Sequence, residues 1–255
     1  MTHTTRNPIA LITGGSRGLG RSTVLALAAR GVRSIFTYHS NRAEAEQVVA
    51  ATAAAGYPAI ALALDSGNIE SFPEFVSQVK TALSEMSAER FDYLVNNAGI
   101  SHHNSLQNTA EAELDLLYQV NFKGPFFLTQ QLLPLINDGG RIVNISSGLT
   151  RFSIAESGPY AAMKGALEVF TRYLAKELGP RRITANTVAP GAIQTDFSGG
   201  MVRDNPQINQ MVASITALGR AGVADDIGPM VAALLSEDNR WVNGQRIEVS
   251  GGALL

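Results

Sequence analysis

The sequence predicts an α/β fold, a single doubly wound parallel β-sheet with helices on both faces. Two observations carry that expectation. Strand-like and helix-like runs alternate almost from end to end, and the strand-like runs are continuously apolar instead of alternating with polar residues. A strand that is apolar on both sides must be covered on both faces, which a parallel sheet between two helix layers achieves. Length agrees: 255 residues, 45% hydrophobic and 16% charged, suffice to bury a sizeable core. No linker, repeat or low-complexity block divides the chain, so one domain over residues 1–255 is expected.

The elements follow in order. Residues 9–13 form a short apolar run that ends in glycines, and residues 21–30 follow with helical periodicity. Residues 34–38 read as a second strand. A helix starts near Arg42, where Asn41 and Glu44 are spaced as a capping box and Gly56 acts as a stop. Residues 59–64, 93–96, 141–145 and 184–188 read as further buried strands, and residues 246–249 as a last short one. The segment from Pro190 to about Gly222 is the least regular, with Gly199-Gly200 and two prolines. Long irregular loops in compact domains are usually functional or mobile.

Charge and composition exclude several functions. A net charge of -2 and a pI near 6.1 argue against nucleic acid as a main partner. The absence of cysteine removes disulfides and thiolate chemistry. The opening MTHTTRNP has no apolar core of the kind a signal peptide needs. Residues 48–64 carry no charge, but Gly56-Tyr57-Pro58 breaks them into a helix end, a turn and a strand. A soluble, cytoplasmic protein without membrane contact is the expectation.

TGGSRGLG, residues 13–20, lies between the first strand and the first helix. Such a turn aims backbone N–H groups and the positive helix end at a phosphate, and glycines remove side chains that would hold it away. The pattern Gly14-x3-Gly18-x-Gly20 departs from the common dinucleotide fingerprint. Gly15-x4-Gly20-Arg21-Ser22 nearly matches a P-loop, with Asp65 ending a strand that could present a magnesium ligand. Arginine stands where that loop needs lysine, so nucleotide hydrolysis is kept as a distant alternative.

PYAAMK, residues 159–164, sets Tyr160 and Lys164 one helical turn apart on one face. Alone, that spacing is an ordinary amphipathic pair. Other motifs accompany it in order: NNAG at 96–99, Asn121 in VNFKG, NISS at 144–147, and PGAIQT at 190–195. This ordered set resembles the short-chain dehydrogenase/reductase family in its single-domain form, over about residues 9–252. The look is closest to the 3-oxoacyl-carrier-protein reductase-like members.

The resemblance implies a Rossmann-type oxidoreductase that moves a hydride between NADP(H) and a carbonyl or alcohol. It also implies a catalytic set of Asn121, Ser147, Tyr160 and Lys164. Ser147 stands 13 residues before Tyr160 and 26 after Asn121, which favours it over its neighbour Ser146. Tyr160 is then the general acid/base, its phenol pKa lowered from about 10 by Lys164 and the oxidised nicotinamide. Ser147 holds the developing alkoxide, and Asn121 kinks its helix. A reductase fold that only senses NADP(H) is the alternative, and the intact catalytic set argues against it.

For the cofactor, the resemblance implies contacts from Gly14, Ser16, Arg17, Gly18, Leu19 and Gly20. Further along come Tyr38, His39, Ser40, Asp65, Ser66, Asn97, Ala98 and Gly99. Tyr160, Lys164, Pro190, Gly191, Ile193 and Thr195 complete the set. Residues 36–42, FTYHSNR, hold no carboxylate for the ribose hydroxyls that an NAD site would grip. Arg17 and the nearby Arg42 fit the extra phosphate of NADP(H).

His102 and His103 are expected to line the substrate cleft, and no catalytic metal is expected. Residues from Thr195 to about Thr216 are expected to form a mobile lid. The helix holding Tyr160 carries Leu167, Phe170, Leu174 and Leu178 along one stripe, with Met163 and Val169 off it. Apolar surface on more than one side, with the family habit, suggests a homotetramer.

Overall fold

Alternate residues along the central strands belong to two different cores. Ile9 and Leu11 sit in one cluster with Phe72, Phe75, Leu128 and Leu174. Ala10 and Ile12 sit in the other with Val24, Phe36, Ile227 and Val231. Successive strand side chains point to opposite faces, so a strand apolar throughout feeds both cores at once. Each large side chain buried this way contributes on the order of 1.5–3 kcal/mol.

The computed structural model describes residues 7–255. The expectation of no signal peptide rests on an amino-terminal stretch that falls mostly outside the described residues. Seven strands form one all-parallel sheet. They are β1 (Ile9–Ile12), β2 (Arg33–Tyr38), β3 (Ile60–Ala63), β4 (Phe91–Asn96), β5 (Ile136–Ile145), β6 (Thr184–Pro190) and β7 (Arg246–Val249). The order across the sheet is β3-β2-β1-β4-β5-β6-β7. It reverses between β1 and β4, and doubly wound sheets open a crevice at such a point beyond the carboxyl strand ends.

The helices are α1 (Gly18–Ala28), α2 (Arg42–Ala54), α3 (Phe72–Glu85), α4 (Glu111–Tyr118), α5 (Gly124–Leu132), α6 (Gly158–Glu177), α7 (Met201–Asp204), α8 (Pro206–Ser214) and α9 (Ala224–Leu234). All seven expected strands are present. The main differences from the sequence expectation are three: β5 begins at Ile136 and not at residue 141, and the start of α1 and residues 190–222 also differ. The α1 helix begins at Gly18, three residues before the apolar periodicity of residues 21–30 announces it. Residues 190–222, expected to be irregular, are largely short helices: a 3-10 turn at Phe197–Gly200, then α7 and α8. Among the described residues no helix is long and apolar enough to cross a membrane.

Candidate active site at the carboxyl edge of the sheet

The glycine loop leaves β1 and is laced to the end of β4. Asn97 Nδ2 donates to the Thr13 and Gly14 carbonyls at 2.8 and 3.0 Å, and the Thr13 hydroxyl accepts the Asn97 and Ala98 N–H groups at 3.0 Å. Gly14 has φ +67° and Gly18 φ +52°, the left-handed region where a side chain is strained. Gly20 serves close approach instead: a Cβ there would lie 2.6 Å from Asn97 Nδ2 and collide with the Gly14 carbonyl. Asn97 and Gly20 thus shape the loop, while Gly18 stays open except toward Thr195. Ser16 is buried and Leu19 half-buried in the same turn.

No side chain caps the start of α1, whose Ncap residue is Arg17. Its first N–H groups and positive end are therefore suited to an anionic phosphate, and the loop fits a dinucleotide. At the end of β2, Tyr38 is half-buried, and His39 and Ser40 are exposed. Asn41 caps α2 through Glu44 N–H at 3.2 Å. Arg42 is drawn onto its own helix, with Nε 2.8 Å from Glu46. Arg17 is exposed and has no ion pair among the described residues. Beyond β3, Asp65 accepts the Gly67 N–H at 2.9 Å beside a half-buried Ser66.

The four expected catalytic residues come from three elements. Asn121 lies in a π-helical turn, Gln119–Lys123, between α4 and α5. Such turns often mark functional sites. Its buried side chain donates to the Ile100 and Leu117 carbonyls and accepts the Ile100 N–H at 3.2 Å. Ser146 and Ser147 follow β5 and diverge. Ser146 Oγ turns away to Glu168 at 2.7 Å, whereas Ser147 Oγ accepts the Leu149 N–H at 3.2 Å and lies near enough to the Tyr160 hydroxyl to act on its pKa.

Tyr160 and Lys164 project from the first turns of α6, and both are buried. Lys164 Nζ donates to the Ile145 carbonyl at 3.0 Å and lies 5.7 Å from the centre of the Tyr160 ring. Burial pushes the Lys164 ammonium down to about 8. Burial also pushes the Tyr160 phenol up, with the Ser147 hydrogen bond opposing it. The lowered phenol is expected from Lys164 together with the oxidised nicotinamide; in the protein alone, loss of water raises it. Gly99 closes the group, since a Cβ there would lie 2.8 Å from Asn121 Oδ1 and 3.3 Å from Lys164 Nζ.

Residues beyond β6 border the same crevice. Pro190 ends the strand, and a Cβ on Gly191 would come 2.9 Å from Ser250 Cα. Ile193 bridges to Gly222, and Thr195 lies against Gly18. The Phe197 ring approaches Tyr160 at 6.1 Å between centroids. Ser198, next to it, contacts the Ser101 hydroxyl at 2.6 Å and His103 Nε2 at 3.4 Å. His102 is half-buried beside them. Among the described residues no cluster of three metal-ligating His, Asp or Glu side chains occurs.

The comparisons with known proteins agree with this architecture. A family model described as enoyl-(acyl carrier protein) reductase matches residues 14–253. A short-chain type dehydrogenase/reductase of Picea abies is 35% identical, over 96% of this chain and 91% of that one. Among solved structures, the promiscuous reductase LugOII, described as catalysing keto-reduction at C1 in lugdunomycin biosynthesis, superposes with a TM-score of 0.92. It is 39% identical over 97% of this chain and 98% of its own. The angucycline C-6 ketoreductase LanV, solved with bound NADP, also gives a TM-score of 0.92, at 33% identity over 97% and 95%.

The chain belongs to the short-chain dehydrogenase/reductase family of oxidoreductases. The P-loop alternative is thereby overturned, and the sheet gives the reason. Asp65 follows β3, an edge strand separated from β1 by β2. Its strand pairs with β2 and not with β1, from which the glycine loop leaves.

Proposed function

We propose that this chain is an NADP(H)-dependent reductase that converts a ketone or aldehyde into an alcohol. The observation that carries the reading is the buried Tyr160 hydroxyl, with Ser147 beside it and buried Lys164 one turn along the same helix, its Nζ 5.7 Å from the ring centre. Sequence-related ketoreductases, one of them solved with NADP, support the cofactor and the reaction.

NADPH, when bound, would supply the hydride that the carbonyl carbon gains. Tyr160 gives its hydroxyl proton to the carbonyl oxygen, so carbon gains the hydride and oxygen the proton. Ser147 donates a hydrogen bond to the same oxygen and stabilises the charge that develops there. Lys164, with a pKa near 8, holds a proton with which to recharge the phenolate. Asn121 fixes the Ile100 backbone beside it. Gly14, Ser16, Gly18 and the start of α1 would hold the diphosphate, and Arg17 the 2′-phosphate.

Residues 1–255 would act as one domain. A homotetramer is proposed from the exposed apolar side chains Leu114, Leu116 and Tyr118 on α4 and Val169 and Tyr173 on α6. The deciding experiment is a panel of aliphatic, diketone and polycyclic aromatic carbonyl compounds, offered with NADPH and with NADH. Steady NADPH consumption with at least one member is expected. Tight NADPH binding without turnover on any member would favour a sensor of the same fold.

A further inference from the structure

Below Lys164 on the same face of α6, one further turn along, comes Glu168. Residues 160, 164 and 168 form one column, but the third has no part in the reaction proposed above. It is a carboxylate whose side chain is only 12% exposed, and burying a charge is costly unless it is well paired. Glu168 is paired three times through one oxygen. Oε1 accepts the Ser146 hydroxyl at 2.7 Å and Arg246 Nε at 2.9 Å, and lies 2.7 Å from the Thr150 hydroxyl.

These partners converge on the backbone of Ser147. Ser146 precedes it directly. The Thr150 hydroxyl is also 2.9 Å from the Ser147 carbonyl oxygen, and gives its one proton either there or to Glu168. Arg246 Nη2 reaches the same carbonyl at 3.3 Å and Thr150 Oγ1 at 3.1 Å. Arg246 comes from β7 and is held from its other side by Glu248 at 3.0 Å. Ser146, Thr150 and Arg246 thus meet at one carboxylate on the helix that carries Tyr160, with Glu248 a second hold on Arg246 and the Thr150 N–H a further bond to the Ser147 carbonyl at 3.3 Å.

We propose that Glu168 is a positioning residue that fixes Ser147 relative to Tyr160, so that both hydroxyls meet one substrate oxygen. The physical reason is geometric. Ser147 lies in the loop after β5 and Tyr160 on α6, so their separation depends on how that loop is tied to the helix. A charge-assisted tie is short and directional. Small misplacements of catalytic groups cost rate steeply, even when the displaced contact is remote from the chemistry. Glu168 touches neither substrate nor cofactor in this account and acts only through the serine.

This inference rests on the reductase reading, and a double-mutant cycle separates the two. Glu168→Ala, Ser147→Ala and the double variant are assayed on a carbonyl accepted by the wild type, with NADPH affinity measured in parallel. Glu168→Ala is expected to lower kcat by about tenfold in the wild-type background and by less than about twofold in the Ser147→Ala background. NADPH affinity should stay within about twofold, because no cofactor contact is removed. Equal losses in both backgrounds, or none in either, would overturn the positioning role. If Glu168→Ala does not yield folded protein, Glu168→Gln enters the same cycle, since it keeps an acceptor but loses the charge that holds Arg246. A wild type inactive on every carbonyl would instead sink the reductase reading itself.

Discussion

Lys164 Nζ lies 5.7 Å from the centre of the Tyr160 ring, yet its hydrogen bond goes to the Ile145 carbonyl at 3.0 Å. The cation is thus anchored by the sheet and not by the phenol it serves. Both groups are buried, and burial moves their pKa values away from each other: the ammonium down, the phenol up.

A stability prediction follows from the lysine. Its pKa falls from 10.5 in the unfolded chain to about 8 in the fold. Below about pH 8 both states carry the charge, and the native state bears the full cost of burying it. Between about pH 8 and 10.5 the unfolded chain binds more protons, so this group makes stability rise with pH. Tyr160, raised above its ordinary value, acts oppositely only above about pH 10. Lys164→Met is therefore expected to be more stable than the wild type at neutral pH, by on the order of 1–3 kcal/mol. That advantage should shrink as pH approaches about 10. Urea unfolding at about pH 7 and about pH 9.5 measures it; a variant less stable at neutral pH would contradict the assigned burial cost.

Cofactor choice should depend on Arg17 more than on Arg42. Arg42 is held by Glu46 at 2.8 Å, whereas Arg17 is exposed in the glycine loop without an ion pair among the described residues. Arg17→Ala is expected to lower kcat/KM for NADPH by at least about tenfold, as loss of a charge-assisted phosphate contact predicts. The value for NADH should change by less than about threefold. Comparison of the two reduced cofactors decides it; an NADH preference that Arg17→Ala leaves unmoved would refute the NADP(H) assignment.

Substrate ranking should respond to residues 195–216. Phe197 is exposed yet packs its ring 6.1 Å from Tyr160, and Met201 opens α7 just beyond. Between them Gly199 and Gly200 take φ +67° and +76°, and Ser198 takes +55°. Three consecutive residues in the left-handed region suit a hinge. Phe197→Ala and Met201→Ala are expected to shift KM and relative activity across a carbonyl panel, with NADPH affinity within about threefold. Limited proteolysis should cut here first without ligand and more slowly with cofactor and substrate. Resistance to protease in the free protein, with an unchanged ranking, would remove the lid.

The strands were legible because continuous apolar runs have few alternatives between glycines and turns, and all seven stand where expected. The start of α1 was not, because Gly18-Leu19-Gly20 bends helically without a periodic signal. Tyr160, Lys164 and Ser147 were legible as candidates only through the family resemblance of the ordered motifs, since the i, i+4 spacing alone is an ordinary amphipathic pair. Glu168 continues the same column at the same spacing, but nothing in the sequence tells that Thr150 and Arg246 arrive beside it. That convergence needs the return of β7 to the edge of β6. The upward shift of Tyr160 in the protein alone was not legible for a related reason: a sequence shows that a charge is near, not how much water is lost.

The claim on which the account turns is that Tyr160 gives the proton. Tyr160→Phe removes one oxygen atom from a buried ring and leaves the ring contacts with Phe197 in place. Turnover and NADPH affinity, measured on one preparation of this variant, test the claim most directly. NADPH affinity is expected within about threefold of wild type and kcat lower by at least about a thousandfold, as loss of a general acid requires. Retention of more than about a tenth of wild-type kcat would contradict it.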